Sequence, residues 1–226
     1  GMDLVERYHL MRLSEAIATI HFPKDTPSMQ KARERLKFEE LFYIQLQILR
    51  QMKRREQSPG FAMPIVGRSF HAFYQHSLPF PLTNAQKRVV REIQTDIKSG
   101  KQMNRLLQGD VGSGKTIVAL LTALLAIDNG FQACIMAPTE ILANQHYQSI
   151  YQLLNSSEEF KSINPDLTIA LLTGSTTAKQ RQPIHEQLRA GKINLLIGTH
   201  ALIEDTVQFA NLGLCIIDEQ HRFGVA

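Results

Sequence analysis

One stretch of eight residues constrains the fold more than any other part of the chain. It reads Gly109-Asp110-Val111-Gly112-Ser113-Gly114-Lys115-Thr116 and fits the pattern G-x-x-x-x-G-K-[ST] of nucleotide phosphate-binding loops. Glycines let the backbone curl so that successive N–H groups face a phosphate, and the following helix adds the positive end of its dipole. We therefore expect a strand, this loop and a helix in that order, with all eight residues around the phosphates of a nucleotide.

Two side chains of the loop have their own chemistry. Lys115 is long enough to reach the β- and γ-phosphates of a nucleotide, and the Thr116 hydroxyl is a ligand for Mg²⁺. A nucleoside triphosphate and Mg²⁺ are the cofactors that this loop predicts.

Beyond Leu82, apolar runs alternate with helical patterns. Strands are expected near 104–108, 132–137, 167–172, 193–197 and 212–218, and helices near 85–98, 117–128, 140–153, 178–190 and 201–203. The apolar runs contain few polar residues, as in parallel strands that are buried on both faces. The predicted fold class is α/β, with a doubly wound parallel sheet and right-handed crossovers. Ligands of such sheets bind at the carboxyl ends of the strands.

The first part of the chain is predicted to be helical. Residues 28–57 have an apolar stripe at helical spacing, and a short helix is expected near 69–76. Residues 1–82 contain 12 Lys and Arg against 8 Asp and Glu, whereas residues 83–226 contain 13 of each. This basic excess either attracts phosphate backbones or marks solvated helix ends. We expect a helical segment over 2–77 and a nucleotide-binding domain over 78–226.

The bulk composition is that of a globular protein, with 43% hydrophobic and 20% charged residues. No apolar run has the length of a membrane span, and the N-terminus lacks the apolar core of a signal peptide, so we expect no membrane contact and a cytoplasmic location. Gly1 before Met2 is interpreted as a tag scar. Cys134 and Cys215 lie in apolar runs and are predicted to be buried, reduced thiols.

Two carboxylates end the last predicted strand. A phosphate-loop hydrolase needs one carboxylate for Mg²⁺ and a group that orients or deprotonates the attacking water. Asp218 suits the metal role and Glu219 the water role, because the chain turns where the strand ends. A merely polar strand end is the alternative, and the phosphate loop argues against it.

Asp218-Glu219-Gln220-His221 also completes a D-E-x-H box. With residues 109–116, 137–146 and 198–201, this box resembles the first motor lobe of superfamily 2 helicases and translocases, and within them the RecG family of bacterial ATP-dependent DNA helicases. The resemblance is dense over 78–225 and looser over 2–77, which is similar to that family's helical linker. Transcription-repair coupling factors resemble the chain as well, but their box usually reads D-E-E-Q, so Gln220 and His221 favour the RecG family.

The resemblance implies a RecA-like lobe and assigns roles to single residues. Gln86 would read the adenine of ATP through its amide, Lys115, Asp218 and Glu219 would be catalytic, Thr116 and Asp218 would hold Mg²⁺, and Gln220 and His221 would couple the sites. Polar groups that follow three predicted strands would contact the DNA backbone, which implies little sequence preference; they are Pro138, Thr139, Thr173, Gly174, Thr199 and His200. Helix capping by Thr139 and Thr199 is the structural alternative, and both roles can hold together.

The implied partners are branched or duplex DNA, a second motor lobe and a wedge domain. Because the chain stops just past the D-E-Q-H box, we expect a fragment that binds ATP·Mg weakly and barely hydrolyses it. A non-motor phosphate-loop module is the alternative of another class. Against it, the L-S-G-G-Q signature of transporter ATPases is absent, and a kinase would not need the D-E-x-H box. Intact Lys115, Thr116, Asp218 and Glu219 argue against a scaffold with a vestigial site.

Overall fold

The computed structural model of the 226-residue chain describes residues 2–57 and 59–219, and their side chains apart from those of residues 2, 3 and 55–57. The chain divides into two compact units between residues 58 and 59. The sequence predicts a boundary at 77/78, whereas residues 59–77 belong structurally to the second unit. The division of the chain by function stays a prediction.

The first unit consists of three helices. They are α1 (Met2–Arg7), α2 (Leu13–His21) and α3 (Thr26–Gln57). Ser28 and Asp25 exchange hydrogen bonds where α3 begins, the shorter being 2.7 Å from the Ser28 N–H to the Asp25 carboxylate. Ala16 of α2 and Ala32 of α3 are fully buried, since small side chains let two helices pack closely. Leu41, Leu49 and Met52, which form part of the predicted stripe, are exposed.

Residues 59–77 join the second unit through hydrogen bonds to the end of a helix. Helix α4 (Arg68–Ala72) leads into a π-helical turn at Phe73–Ser77, where the sequence predicts one short helix. The carboxylate of Asp128 accepts the backbone N–H groups of Gly67, Ser69 and Phe70 at 2.9–3.1 Å. Phe73 is fully buried in the main core. These contacts are not visible as a local sequence pattern, so the sequence does not indicate that residues 59–77 pack with the second unit.

The second unit contains a four-stranded, fully parallel sheet. Its strands are β1 (Gln132–Met136), β2 (Ile169–Leu172), β3 (Leu195–Gly198) and β4 (Leu212–Ile217), in the spatial order β2-β3-β1-β4. The helices are α5 (Asn84–Lys98), α6 (Lys115–Asp128), α7 (Glu140–Asn155), α8 (Glu158–Ile163) and α9 (Ala178–Arg189), with a 3₁₀ turn at His200–Ile203. The α/β prediction is confirmed.

The sheet has a hydrophobic core on each face. Ile135 and Leu195 pack with residues of α5, α6 and α7 in one cluster, whereas Cys134 and Leu196, their neighbours in sequence, pack with Leu188 of α9 in the other. Successive strand residues point to opposite faces, so burial of both sets requires helices on both sides. The sheet is therefore doubly wound, as predicted.

The prediction of a strand at 104–108 is wrong. These residues form no strand ladder in the described structure, although Leu107 packs against the core. Arg105 instead bonds the carboxylates of Glu92 and Asp96 on α5, with two N–O distances of 2.7 Å. A strand requires a neighbouring strand as the partner for its backbone groups. In the described sheet β4 is an edge strand, and residues 104–108 do not pair with it.

The two cysteines face each other across β1 and β4. Cys134 is buried as predicted, but Cys215 is exposed, because β4 is an edge strand of the described sheet. Both thiols are free. The hydrogen bond that Cys134 donates lowers the pKa of Cys215 to about 7, while the same contact and burial raise the pKa of Cys134. No helix among the described residues is both long and apolar enough to cross a membrane.

Candidate nucleotide and nucleic-acid site

The phosphate-binding motif forms an exposed loop between α5 and α6. Gly112 and Gly114 have φ angles of +79° and +77°, a region that residues with a Cβ atom adopt only at a cost. Helix α6 begins directly after Gly114. Its first N–H groups have no partner within the helix, so the loop presents the anion-binding helix terminus that the motif predicts.

Lys115 folds back over its own loop. Its Nζ donates hydrogen bonds to the backbone oxygens of Gly109 at 2.7 Å and Asp110 at 2.8 Å. The ammonium group is thus held where the loop's carbonyls converge. A triphosphate in the loop would compete with these oxygens for the same three N–H donors.

The amide of Gln86 connects α5 with the phosphate loop. Thr83 begins α5 with a capping box, in which Gln86 N donates to the Thr83 hydroxyl and the Gln86 side-chain oxygen accepts Thr83 N at 2.8 Å. The side-chain nitrogen donates to the backbone oxygen of Ser113, also at 2.8 Å. Each end of the amide retains capacity for one more hydrogen bond, so contact with an adenine edge is chemically compatible with these bonds.

The two candidate catalytic carboxylates follow β4. The backbone N–H of Asp218 extends the sheet by donating to Met136 O at 2.8 Å. Glu219 has a φ of +49°, which is unusual for a residue other than glycine. The chain therefore turns sharply after Asp218, as the sequence predicts for the end of this strand.

Sequence reasoning gave no role to the side chain that contacts Asp218. His146 Nε2 lies 2.7 Å from Asp218 Oδ2, and a carboxylate oxygen accepts, so the ring nitrogen donates. His146 belongs to the run 137–146 that supports the family resemblance, but its position on α7 says nothing about β4. Only the fold brings the two residues together.

Three polar loops follow the carboxyl ends of neighbouring strands. They contain Pro138 and Thr139 after β1, residues 173–176 after β2, and Thr199 and His200 after β3. The hydroxyl of Thr139 accepts Leu142 N at 3.3 Å and begins α7, so the capping interpretation is confirmed for this residue.

Glu140 joins the first two of these loops. Its Oε1 accepts the backbone N–H of Ser175 at 2.8 Å. The hydroxyl and N–H of Ser175, the N–H of Gly174 and the charge of His200 lower the pKa of Glu140. Glu140, at the start of α7, therefore ties the loop after β1 to the loop after β2 by a direct hydrogen bond.

Two predicted DNA contacts are placed differently from what the sequence suggested. Thr173 and Thr199 are only 3% and 2% exposed. The Thr173 hydroxyl lies 3.0 Å from Ser175 Oγ, so it organises its own loop. Their hydroxyls are buried because both residues directly follow strands of a sheet that is covered by helices on both faces. Gly174, Ser175 and His200 are the exposed residues of these loops.

Arg181 also joins two loops, and sequence reasoning missed it. Its guanidinium donates to the backbone oxygens of Thr173 and Thr176, both at 3.0 Å, and to Glu204 Oε2 at 2.8 Å. The loop after β2 is thus tied to the segment that follows the 3₁₀ turn. Gln220 and His221, the predicted coupling residues, lie outside the described residues.

Comparisons with known proteins agree with this geometry. The sequence model of the DEAD/DEAH box helicase family matches residues 83–226. The ATP-dependent DNA helicase RecG of Synechocystis sp. is 47% identical over 223 residues, which are 99% of this chain and 26% of that protein. RecG of Thermotoga maritima is 49% identical over 222 residues, which are 98% of this chain and 27% of that protein.

A solved structure is similar along the whole chain. It shows RecG bound to a three-way DNA junction, with 47% sequence identity and a TM-score of 0.82, and the match covers 100% of this chain and 30% of that one. The chain thus spans less than a third of the length of these relatives. Since the family match begins at Thr83, the cap of α5, and includes the phosphate loop and both carboxylates, the chain belongs to the DEAD/DEAH box helicase family.

Proposed function

We propose that the chain is the linker and first motor lobe of an ATP-dependent DNA helicase or translocase that remodels branched DNA such as replication forks and Holliday junctions. The main support is the similarity to RecG proteins along 98–99% of the chain. The similar solved structure is a RecG protein bound to a three-way DNA junction. Recombination and repair in the cytoplasm is the corresponding process. A second motor lobe and a wedge domain would complete the full-length protein as the partners of this lobe.

ATP would bind at the phosphate loop. Lys115 and the N–H groups of residues 109–116 would hold its phosphates, and Gln86 its adenine. Glu219 would orient or deprotonate the attacking water.

Magnesium fits the donors that the chain offers. Thr116 at the start of α6 and Asp218 after β4 supply a hydroxyl and a carboxylate, the hard oxygen ligands that Mg²⁺ takes beside phosphates and water. No three His, Cys, Asp or Glu side chains cluster as a metal site in the described part of the chain, and a nucleotide-bound Mg²⁺ requires no such cluster. When bound, Mg²⁺ would neutralise charge on the β- and γ-phosphates.

DNA would contact the exposed parts of the three loops, namely Pro138, Thr139, Gly174, Ser175 and His200. Backbone N–H groups and hydroxyls suit phosphates, so these contacts would carry little sequence information. Thr173 would support its loop from within through its contact with Ser175, whereas the buried Thr199 hydroxyl makes no hydrogen bond among the described residues. Gln220 and His221 would couple DNA contact to ATP hydrolysis.

A transcription-repair motor is the second candidate, since it shares the phosphate loop. The box Asp218-Glu219-Gln220-His221 favours the RecG type over it. The deciding experiment measures ATP hydrolysis by the full-length protein with a three-way junction and with linear duplex of equal length. Much stronger stimulation by the junction is expected. Equal stimulation by both, or stimulation by RNA alone, would contradict the proposal.

Two variants test the assigned roles in the 226-residue chain. Lys115→Ala should abolish binding of a fluorescent ATP analogue, whereas Glu219→Gln should preserve it. In the full-length protein Glu219→Gln should slow hydrolysis by about 10²–10⁴-fold, the usual contribution of a general base. Loss of binding in Glu219→Gln would show that this carboxylate serves binding and not the water.

A further inference from the structure

A partly shielded hydrogen bond connects helix α7 with the end of β4. His146 Nε2 donates to Asp218 Oδ2 at 2.7 Å across 72 residues of sequence. The two side chains are 19% and 31% exposed, so both are partly shielded from water. A hydrogen bond between a ring N–H and a carboxylate in such a setting fixes the rotamers of both groups more firmly than one at the open surface.

Asp218 is held by the same part of the chain through its backbone. Its N–H donates to Met136 O, the last residue of β1, and β1 leads through Pro138 to Thr139, the cap of α7. His146 lies about two helical turns beyond this cap. The segment from β1 to α7 therefore binds Asp218 at two points. Met136 accepts the backbone N–H of Asp218, and His146 donates to its carboxylate.

We propose that His146 is a positioning residue for Asp218 and that it connects the loop at Thr139 with the candidate magnesium ligand. This inference rests on the proposed function. The ring takes one carboxylate oxygen, Oδ2, and thereby leaves Oδ1 for a cation. Hydrogen bonds to a ligating carboxylate orient it, and their loss typically costs 10–100-fold in metal affinity.

The connection has a mechanical consequence. Thr139 belongs to a loop proposed to contact DNA, and it caps α7, the helix that carries His146. A displacement of the helix start by a DNA phosphate would be transmitted to the Asp218 carboxylate. Without the imidazole, Asp218 would keep its backbone bond to β1 but lose the orientation of its side chain.

The test compares three variants of the 226-residue chain. His146→Phe keeps the ring size and removes the donor. His146→Gln places an amide N–H near the position of Nε2. Gln148→Ala is the control, because Gln148 is exposed on the same helix. Binding of a fluorescent ATP analogue is measured with EDTA and then across a Mg²⁺ titration.

His146→Phe should raise the half-saturating Mg²⁺ concentration by about tenfold while leaving binding in EDTA unchanged. His146→Gln should recover most of that loss, and Gln148→Ala should match the wild type. An unchanged Mg²⁺ dependence in His146→Phe would overturn this inference but not the proposed function. So would failure of the glutamine variant to recover, or an equal loss of binding in EDTA, since either indicates a packing role. Absence of nucleotide binding by the wild type would overturn the proposed function as well.

Discussion

Gln86 donates a 2.8 Å hydrogen bond from Nε2 to the backbone oxygen of Ser113. The bond joins the first turn of α5 to the phosphate loop, and the other end of the same amide closes the capping box at Thr83. One side chain thus serves the helix terminus and the loop together. A nucleotide that engages the Gln86 amide would therefore contact a side chain that also holds the phosphate loop at Ser113.

Alanine substitutions at Gly114 and Gly112 test the contact between Gln86 and the phosphate loop. A Cβ atom at Gly114 would clash with Gln86 Nε2, whereas one at Gly112 would meet nothing within 4 Å. Both residues have positive φ, so both alanine variants carry a similar conformational cost of about 1–2 kcal/mol. Gly114→Ala should lower the free energy of unfolding by about 1 kcal/mol more than Gly112→Ala, the value of the lost hydrogen bond.

Urea denaturation of the chain measures this difference. In a Gln86→Ala background the excess cost of Gly114→Ala should disappear, because the displaced amide is gone. A persistent excess would show that the crowding at Gly114 does not involve Gln86.

The pKa of Glu140 predicts a dependence of stability on pH. Hydrogen bonds from Ser175 and Gly174 lower this pKa in the folded state. A lowered folded pKa contributes stability above the unfolded pKa, and that stability is lost as the pH falls through the folded value. Glu140→Gln should therefore reduce the thermal midpoint at pH 7, and its difference from the wild type should shrink toward pH 3.

Thermal unfolding between pH 3 and pH 7 measures the effect. Glu34→Gln, which alters an exposed carboxylate on α3, is the matched control and should give a constant difference. An equally constant difference for Glu140→Gln would contradict the role of its charge.

Arg181 should stabilise the loop after β2. Arg181→Met retains the apolar stem but removes the bonds to Thr173 O, Thr176 O and Glu204. Because the group is charged and partly shielded, we expect a loss of about 1–2 kcal/mol in the free energy of unfolding. Hydrogen exchange should become faster in residues 173–176.

Lys179→Met provides the comparison, since Lys179 is exposed on the same helix. It should change neither the stability nor the exchange of that loop. If both methionine variants behave alike, the guanidinium bonds do not order the loop.

The cysteine pair should show unequal reactivity. The pKa of Cys215 is about 7 because Cys134 donates to it, and a thiolate is the reactive form. Iodoacetamide at pH 7 should therefore modify exposed Cys215 well before buried Cys134. Cys134→Ala should raise the pKa of Cys215 toward its usual value of about 8.5 and slow its alkylation roughly tenfold.

Cys134→Ser retains a donor and should preserve much of the rate, as followed by mass spectrometry of the intact chain. The alanine effect should vanish above about pH 9.5, where the thiolate forms in either case. A slower rate that persists there would indicate altered access and not an altered pKa.

The local features of the protein are encoded in short stretches of its sequence. The phosphate loop depends on eight consecutive residues, and the caps at Thr83 and Thr139 act within one helical turn. The parallel α/β class follows from apolar runs that alternate with helices. Each of these properties leaves a local pattern of spacing and residue type in the chain, and that pattern is enough to predict it.

The tertiary structure decided which distant residues meet. Strand order β2-β3-β1-β4 brings His146 to Asp218, and the placement of α9 brings Arg181 to Glu204, and no local pattern encodes either pair. It also decided that residues 104–108 lack a strand partner and that the hydroxyls of Thr173 and Thr199 are buried. Pairing and burial depend on what the fold places alongside a residue, and that information lies in the packing of the whole sheet.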